Sequence, residues 1–378
     1  MKKIVSLIVV VFLTLGLCLN CNKNPGSEVS TIDLGEVQNV KNVILLIGDG
    51  MGPEHIRAGE LYKKEKLYMQ GFPCKVEVDT TALDGVITDS AAASTAMSTG
   101  NLTLTGYVGK TYTGEDLETI VDIAHSKGKR TGIITTEEMY GATPMGFSGH
   151  SLSRLNAEEL IMSAATTSNV NLFASYSIEE NYQQIFTSNG YAKIENVDDI
   201  SLSKEDKVFG SYNISATAES MSANSLSVAF NRLVEESLDY LAQDEDGFFL
   251  MAEGAHIDHG GHSRDIFYML RELVAFDDAV KVAVEWASKR DDTVVLVTAD
   301  HETGGLELYD TITAENMFDT DEIGIFKHFN WALSSHSSRR VNFYVNGANI
   351  DFTPYYVSGN EYIKNISIFS IINELLNN

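Results

Sequence analysis

The sequence predicts an α/β protein: a three-layer α/β/α sandwich with a mostly parallel central sheet. Three observations point there. Short continuous apolar runs such as "VILLIG" (43–48) and "DTVVLVTAD" (292–300) have the length and β-branched content of strands covered on both faces. Long amphipathic stretches, above all "RDIFYMLRELVAFDDAVKVAVEWASKR" (264–290), alternate with them, as crossover helices do between parallel strands. No Pro- or Gly-rich linker and no internal repeat breaks the alternation, so residues 41–378 read as one domain.

The elements follow in order. Strand 43–48 leads to a helix over 53–70, with Pro53 at its start, where a missing N–H costs nothing. A strand over 85–88 is expected to end at Thr88, with a helix beginning at Ser90. Helix 116–128 stops at Gly128, strand 131–136 follows, and helix 155–165 has Asn156 as its cap. Helix 224–243 precedes strand 247–253, and helix 264–290 precedes strand 292–300. Strand 341–347 and helix 367–377 close the chain. The stretch 306–335 has weak periodicity and reads as a short insertion.

Composition narrows the partners. Of the 378 residues, 27 are Lys or Arg and 53 are Asp or Glu, a net charge of −26. Nucleic acid is excluded as a general partner, because a phosphate backbone demands a basic face. Small phosphorylated molecules are not excluded, since a bound cation reverses the local field.

The N-terminus, "MKKIVSLIVVVFLTLGLCLNCNKN", places two lysines before an apolar run, the pattern of an export signal (1–21) rather than a spanning helix. Removing it takes Lys2 and Lys3 away and leaves 25 − 53 = −28. Cys21, directly before a polar tether (22–40), resembles a bacterial lipoprotein acceptor, although Leu17 and Asn20 stand where small residues are usual. An ordinary signal with incidental cysteines at 18 and 21 is the alternative. The expected location is periplasmic or membrane-anchored through a lipid. Cys74 is the one other cysteine, so no disulfide framework is available.

In open parallel sheets, ligands collect beyond the carboxyl ends of the strands. Those ends carry an unusual set of residues. "GDGMG" offers Asp49, "TDS" offers Ser90, and "EEMYGATP" offers Thr143. "EGAHIDHGGH" offers Glu253, Asp258, His259 and His262, "ADHETGG" offers Asp300 and His301, and His336 falls just before strand 341–347. Taken singly, each has a plain reading as a turn, a cap or a surface histidine. Together they would bury many acids at one end of one sheet, which is very costly without counter-charge. Divalent cations remove that cost: mixed Asp/His sets suit zinc and all-oxygen sets suit magnesium. A serine beside paired cations becomes an activated nucleophile. Small residues behind it, "SAAASTAMSTG", would let its helix fit close beneath such a cluster. Arg154 of "GHSLSR" supplies a guanidinium, which grips tetrahedral oxyanions with two parallel hydrogen bonds.

The segments "ILLIGDGMG", "TDSAAASTAMSTG", "ATPMGFSGHSLSR", "EGAHIDHGGH", "TADHETGG" and "HSSRRVNFYVNGA" occur in the order found in alkaline phosphatases. The resemblance spans residue 42 to about 375 and implies an alkaline-phosphatase-like fold. It implies a phosphomonoesterase holding two zinc ions and one magnesium. Asp258, His262 and His336 would ligate the first zinc, and Asp49, Ser90, Asp300 and His301 the second. Asp49, Thr143 and Glu253 would form the magnesium site. Ser90 would become a phosphoserine, and Arg154 would hold phosphate. A homodimer and export are implied as well.

Two positions depart from the family's pattern. Gly141 stands just before the A-T-P segment, where Asp or His is frequent. His259 stands where some members have lysine, and a supporting place near bound phosphate is expected for it, not a ligand's. The competing readings are a phosphodiesterase or sulfatase of the same wider fold, and a lipoprotein that binds cations or phosphate without turnover.

Overall fold

The computed structural model describes residues 31–215 and 227–377. The signal segment, Cys18 and Cys21 lie outside the described residues, as do the first part of the tether and the start of the helix expected from 224.

The chain runs through β1 (Asn42–Gly48), α1 (Pro53–Lys63), β2 (Cys74–Asp79), α2 (Ser90–Thr99), α3 (Ile120–Ser126), β3 (Arg130–Glu138), α4 (Ala142–Ser148) and α5 (Ala157–Thr167). Then come β4 (Leu172–Tyr176), α6 (Glu180–Ser188), β5 (Ala192–Ile194), β6 (Val208–Ser215), β7 (Ser227–Ala229) and α7 (Phe230–Leu241). The rest comprises β8 (Phe248–Gly254), α8 (His256–Ser263), α9 (Ile266–Ala287), β9 (Thr293–Thr298), β10 (Glu302–Thr303), β11 (Leu306–Leu308), β12 (Phe329–Trp331), β13 (His336–Ser337), β14 (Val341–Asn346), β15 (Tyr362–Lys364) and α10 (Ile366–Leu375).

The main sheet has the order β15-β2-β14-β9-β1-β8-β3-β4-β6-β5, with β7 on β6. Its core strands β1, β8 and β9 are buried along their whole length. That explains their unbroken apolar sequences, since helices cover both faces. Each such Val, Leu or Ile contributes roughly 1.5–3 kcal/mol by leaving water. Among the pairings of this sheet, only those of β14 with β9 and β2 are antiparallel. The start of β14 therefore lies at the same end of the sheet as the carboxyl ends of its neighbours. This brings His336 to the end where Asp49 and Asp300 emerge.

Four sequence expectations are corrected. Residues 85–88 are not a strand: Gly85 and Val86 both bond back to Ala82, and Val86 and Ile87 are 44% and 47% exposed. The β-branched residues find no neighbouring strand to pair with, so local propensity loses. The helix from Pro53 ends at Lys63 rather than at residue 70. Lys64 takes a left-handed conformation (φ 60°), and Tyr68–Gly71 forms a separate 3₁₀ turn. Within the helix expected over 224–243, Ser227–Ala229 is the short strand β7 and the helix spans Phe230–Leu241. Residues 31–37 of the expected tether lie against the body: Leu34 N–H donates to Asn346 Oδ1 (3.0 Å) and Val37 N–H to the Gly347 carbonyl (2.8 Å).

Within 306–335, β11 and β12 pair antiparallel as a hairpin base. Phe318 and Phe326 of the intervening loop pack on Phe267 at the start of α9. Among the described residues, no helix is long and apolar enough to cross a membrane.

Candidate metal centre

Strand register sets the geometry of the site. Ile47 of β1 pairs with Thr298 of β9 and with Glu253 of β8, and Thr135 of β3 is also level with Glu253. Asp49 and Asp300 thus lie two residues beyond the same level on adjacent strands. Glu253 sits one strand over at the level itself.

Asp258 and His262 are four apart on α8, the spacing that places two side chains on one helical face. The short pairing of β10 with β13 sets Thr303 opposite His336. His301 and His336 stack with ring centroids 3.6 Å apart.

Two groups of ligand-type atoms result: Asp258, His262 and His336, and Asp49, Asp300 and His301. In the first, His262 Nδ1 lies 2.8 Å from the Ser334 carbonyl and His336 Nδ1 lies 2.8 Å from the Thr88 carbonyl. A carbonyl can only accept, so each Nδ1 carries the proton and each neutral ring offers a lone pair at Nε2. Those Nε2 atoms are 3.3 Å apart, and they lie 3.3 Å (His262) and 3.7 Å (His336) from Asp258 carboxylate oxygens. The Thr303 hydroxyl donates to Asp258 and also meets His301 Nδ1 at 3.2 Å, which ties the two groups together.

In the second group, His301 Nε2 lies 3.2 Å from Ser90 Oγ, 3.2 Å from Asp300 Oδ2 and 3.6 Å from Asp49 Oδ1. Asp300 is held by its other oxygen, which accepts from the Gly50 and His301 amides at 3.0 Å. Ser90 is the first residue of α2, and every residue of that helix is buried. Its small side chains are required: a Cβ on Gly146 of α4 would come within 2.0 Å of Ser94 Oγ. Asp89, not a strand, fixes the helix start. Its Oδ1 accepts from the Ala92 amide (3.1 Å), and its carboxylate also takes the Gly106 amide. The same carboxylate holds Arg154 Nη1 at 3.2 Å.

Thr143, on the first turn of α4, and Glu253 complete the sequence-derived set. Glu253 Oε2 accepts from the Thr135 hydroxyl. Burial first, then the charge of Glu137, pushes the Glu253 acid up to about 8. Burial and the neighbouring acids Asp300, Asp258 and Glu253 raise Asp49 well above the usual carboxylate range. Burial also raises Asp300, and burial with the nearby His336 lowers His301 to about 3. His259 points to Glu137 (3.7 Å), which raises its imidazole, and no metal-ligating group includes it among the described residues.

The donors fit divalent cations. Asp49 Oδ1, Asp300 Oδ2, Glu253 Oε1 and Thr143 Oγ1 are buried with no hydrogen-bond partner. Each such group costs about 1–3 kcal/mol if left unsatisfied. Two facing imidazole lone pairs beside a carboxylate call for a cation as well. The two mixed N/O groups suit zinc, and the oxygen-only set suits magnesium. Asp89, Thr303 and Glu137 were absent from the sequence-derived set. Asp89 was legible only as a helix cap, and nothing in the spacing marked the other two.

Comparison with known proteins agrees with this geometry. The family model described as alkaline phosphatase matches residues 40–185 and 177–353. Alkaline phosphatase 3 of Bacillus subtilis is 32% identical over 293 residues, covering 72% of this chain and 63% of its own. The Escherichia coli alkaline phosphatase is 27% identical over 328 residues, covering 69% of this chain and 70% of its own. A variant of the alkaline phosphatase from the bacterium TAB5, solved with Mg bound in its M3 site, superimposes with a TM-score of 0.75 at 26% identity. It covers 90% of this chain and 99% of its own. The chain spans slightly less than two thirds of the length of the two Bacillus relatives it matches.

Proposed function

The chain belongs to the alkaline phosphatase family, and from that premise we propose that it hydrolyses phosphate monoesters through a phosphoserine at Ser90. The observation that carries this reading is the position of Ser90: the buried first residue of α2, with its Oγ 3.2 Å from His301 Nε2, beside one of the two groups of candidate cation ligands. We take Asp258, His262 and His336 as one zinc set, Asp49, Ser90, Asp300 and His301 as the other, and Asp49, Thr143 and Glu253 as a magnesium set.

When bound, these cations would supply the positive charge that eases deprotonation of the serine and offsets the charge of the phosphate. The chain's own groups do the rest. Ser90 Oγ forms a bond to phosphorus as the bond to the leaving alcohol breaks. Water then displaces the serine and releases phosphate. The α2 N-terminus directs unpaired amides toward an anion. Arg154 grips two phosphate oxygens, and Asp89 keeps the guanidinium aimed. Burial alone would lower the charge of Arg154, but Asp89 and then Asp49 hold it cationic.

A diester has only two non-bridging oxygens, so a grip on two of them by Arg154, with a third left for the cations, favours a monoester. Rates on the monoester, diester and sulfate of one aryl alcohol test this. Preference for the monoester, abolished by chelation and restored by zinc with magnesium, is expected. Preference for the diester or sulfate would replace the reading with a related hydrolase. Tight phosphate binding without turnover would indicate the non-catalytic alternative. Export, a lipid on Cys21 and a homodimer are parts of the same proposal.

A further inference from the structure

Glu137 is a half-buried acid that the proposed chemistry does not use. It sits near the end of β3, two residues beyond Thr135, whose hydroxyl accepts the Glu137 amide at 3.0 Å. One carboxylate oxygen lies 3.7 Å from His259 Nε2. The other, Oε2, occupies space that a side chain at position 141 would need: a Cβ there would come within 2.9 Å of it. The backbone at Gly141 has φ −52°, which any residue can adopt. No conformational demand selects glycine at this position; a side chain there would push the Glu137 carboxylate aside and crowd the Glu138 carbonyl oxygen, 3.1 Å away.

The surroundings of Glu137 point to a cation. Thr143 Oγ1, Glu253 Oε1 and Asp49 Oδ1 are orphaned, and their residues are only 1%, 0% and 5% exposed. Geometry ties Glu137 to these donors: Thr135, two residues before it, hydrogen-bonds Glu253, and Gly141, which its Oε2 abuts, caps the helix whose first turn carries Thr143. The groups that face Glu137 are the His259 and His256 imidazoles and the Arg154 guanidinium. Glu137 thus adjoins the elements that carry these oxygen donors.

We propose that Glu137 belongs to the oxygen-only cation site beside Asp49, Thr143 and Glu253, and that Gly141 is side-chain-free to leave room for its carboxylate. The site would take a small hard dication such as Mg²⁺, which prefers carboxylate and hydroxyl oxygen. Glu137 would add charge to that site and hold His259 toward it. This inference rests on the cation reading given above.

The test is Mg²⁺ binding by the zinc-loaded full chain, measured by equilibrium dialysis with elemental analysis. Groups that support metal ligands typically change affinity about 10- to 100-fold when removed. Glu137→Gln is expected to weaken Mg²⁺ at least about tenfold on that scale, with zinc content unchanged. Gly141→Ala should do the same, because the new methyl displaces the flexible end of Glu137. Combined, the two changes should be no worse than either alone. Unchanged Mg²⁺ affinity in Glu137→Gln would overturn the proposal while leaving the three-cation reading intact. A further loss in the double variant would overturn the link to Gly141. A wild-type chain that binds zinc but no Mg²⁺ would sink the oxygen site itself, and this proposal with it.

Discussion

Removing the cations should make the protein less stable as pH rises above neutrality. The reason is the set of buried acids. Glu253 has its acid pushed from 4.5 to about 8, and Asp49 and Asp300 are raised as well. For an acid raised by folding, the native state keeps protons that the unfolded state has released. Stability is then full below the unfolded value and lost as pH climbs through the folded one. The histidines act oppositely. His55 and His301 are lowered by burial to about 3, and His256 to about 4, so below their unfolded value near 6.5 they make stability rise with pH.

The informative window is therefore pH 6.5 to 8, where the unfolded histidines lose only their last half proton and offset about 0.4 kcal/mol each. There one retained proton costs about 1.4 kcal/mol per pH unit, so Glu253 alone should remove roughly 2 kcal/mol. His259, raised by Glu137, and Glu272, pushed up to about 7 mainly by burial, work in the same direction. Urea unfolding of chelated protein at pH 6.5 and 8 measures the loss. The same experiment with zinc and magnesium present should show little of it, because the cations neutralise the ionised acids. Chelated protein that is as stable at pH 8 as at 6.5 would refute the argument that these carboxylates are held apart from counter-charge.

Two further outcomes follow from single contacts. Asp89→Asn frees the Arg154 guanidinium from its 3.2 Å partner while leaving an oxygen for the α2 cap. The loss of one charge-assisted bond should raise KM for an aryl phosphate roughly tenfold with a smaller change in kcat, read from initial rates. Asp277, far along α9, is 1% exposed, pairs with Lys63 at 2.8 Å and accepts the Tyr68 amide at 2.6 Å. Asp277→Ala should cost about 3 kcal/mol of folding stability by denaturant titration, since it strands a cation and an amide, and leave kcat unaltered at a temperature where the chain is folded.

Much of the fold could be read because its central strands are buried on both faces and so spell their places in unbroken apolar residues. β1, β8, β9 and α9 are of this kind. The edges were less legible. "CKVEVD" (74–79) alternates buried and exposed residues at a sheet margin. β5 and β7 have only three residues each, and β6 (VFGSYNIS) mixes polar with apolar residues. "GVIT" (85–88) has strand propensity but no partner strand, so the chain turns there instead.

The candidate ligands that the structure brings together were legible because Asp and His recur beside glycines after those central strands. Glu137 was not, since its relation to Gly141 is a matter of volume across a turn, which no spacing rule encodes. Thr303 was missed for a similar reason. It joins Asp258 to His301 only after β10 meets β13.

The most direct measurement is the site of phosphate attachment. Zinc- and magnesium-loaded protein would be mixed with an aryl phosphate, quenched in acid and analysed by peptide mass spectrometry. Phosphate on Ser90 in the wild type, and on no residue in a Ser90→Ala variant that retains its metals, is the result expected. Steady turnover with no phosphoserine at 90, or equal turnover by the alanine variant, would contradict the account.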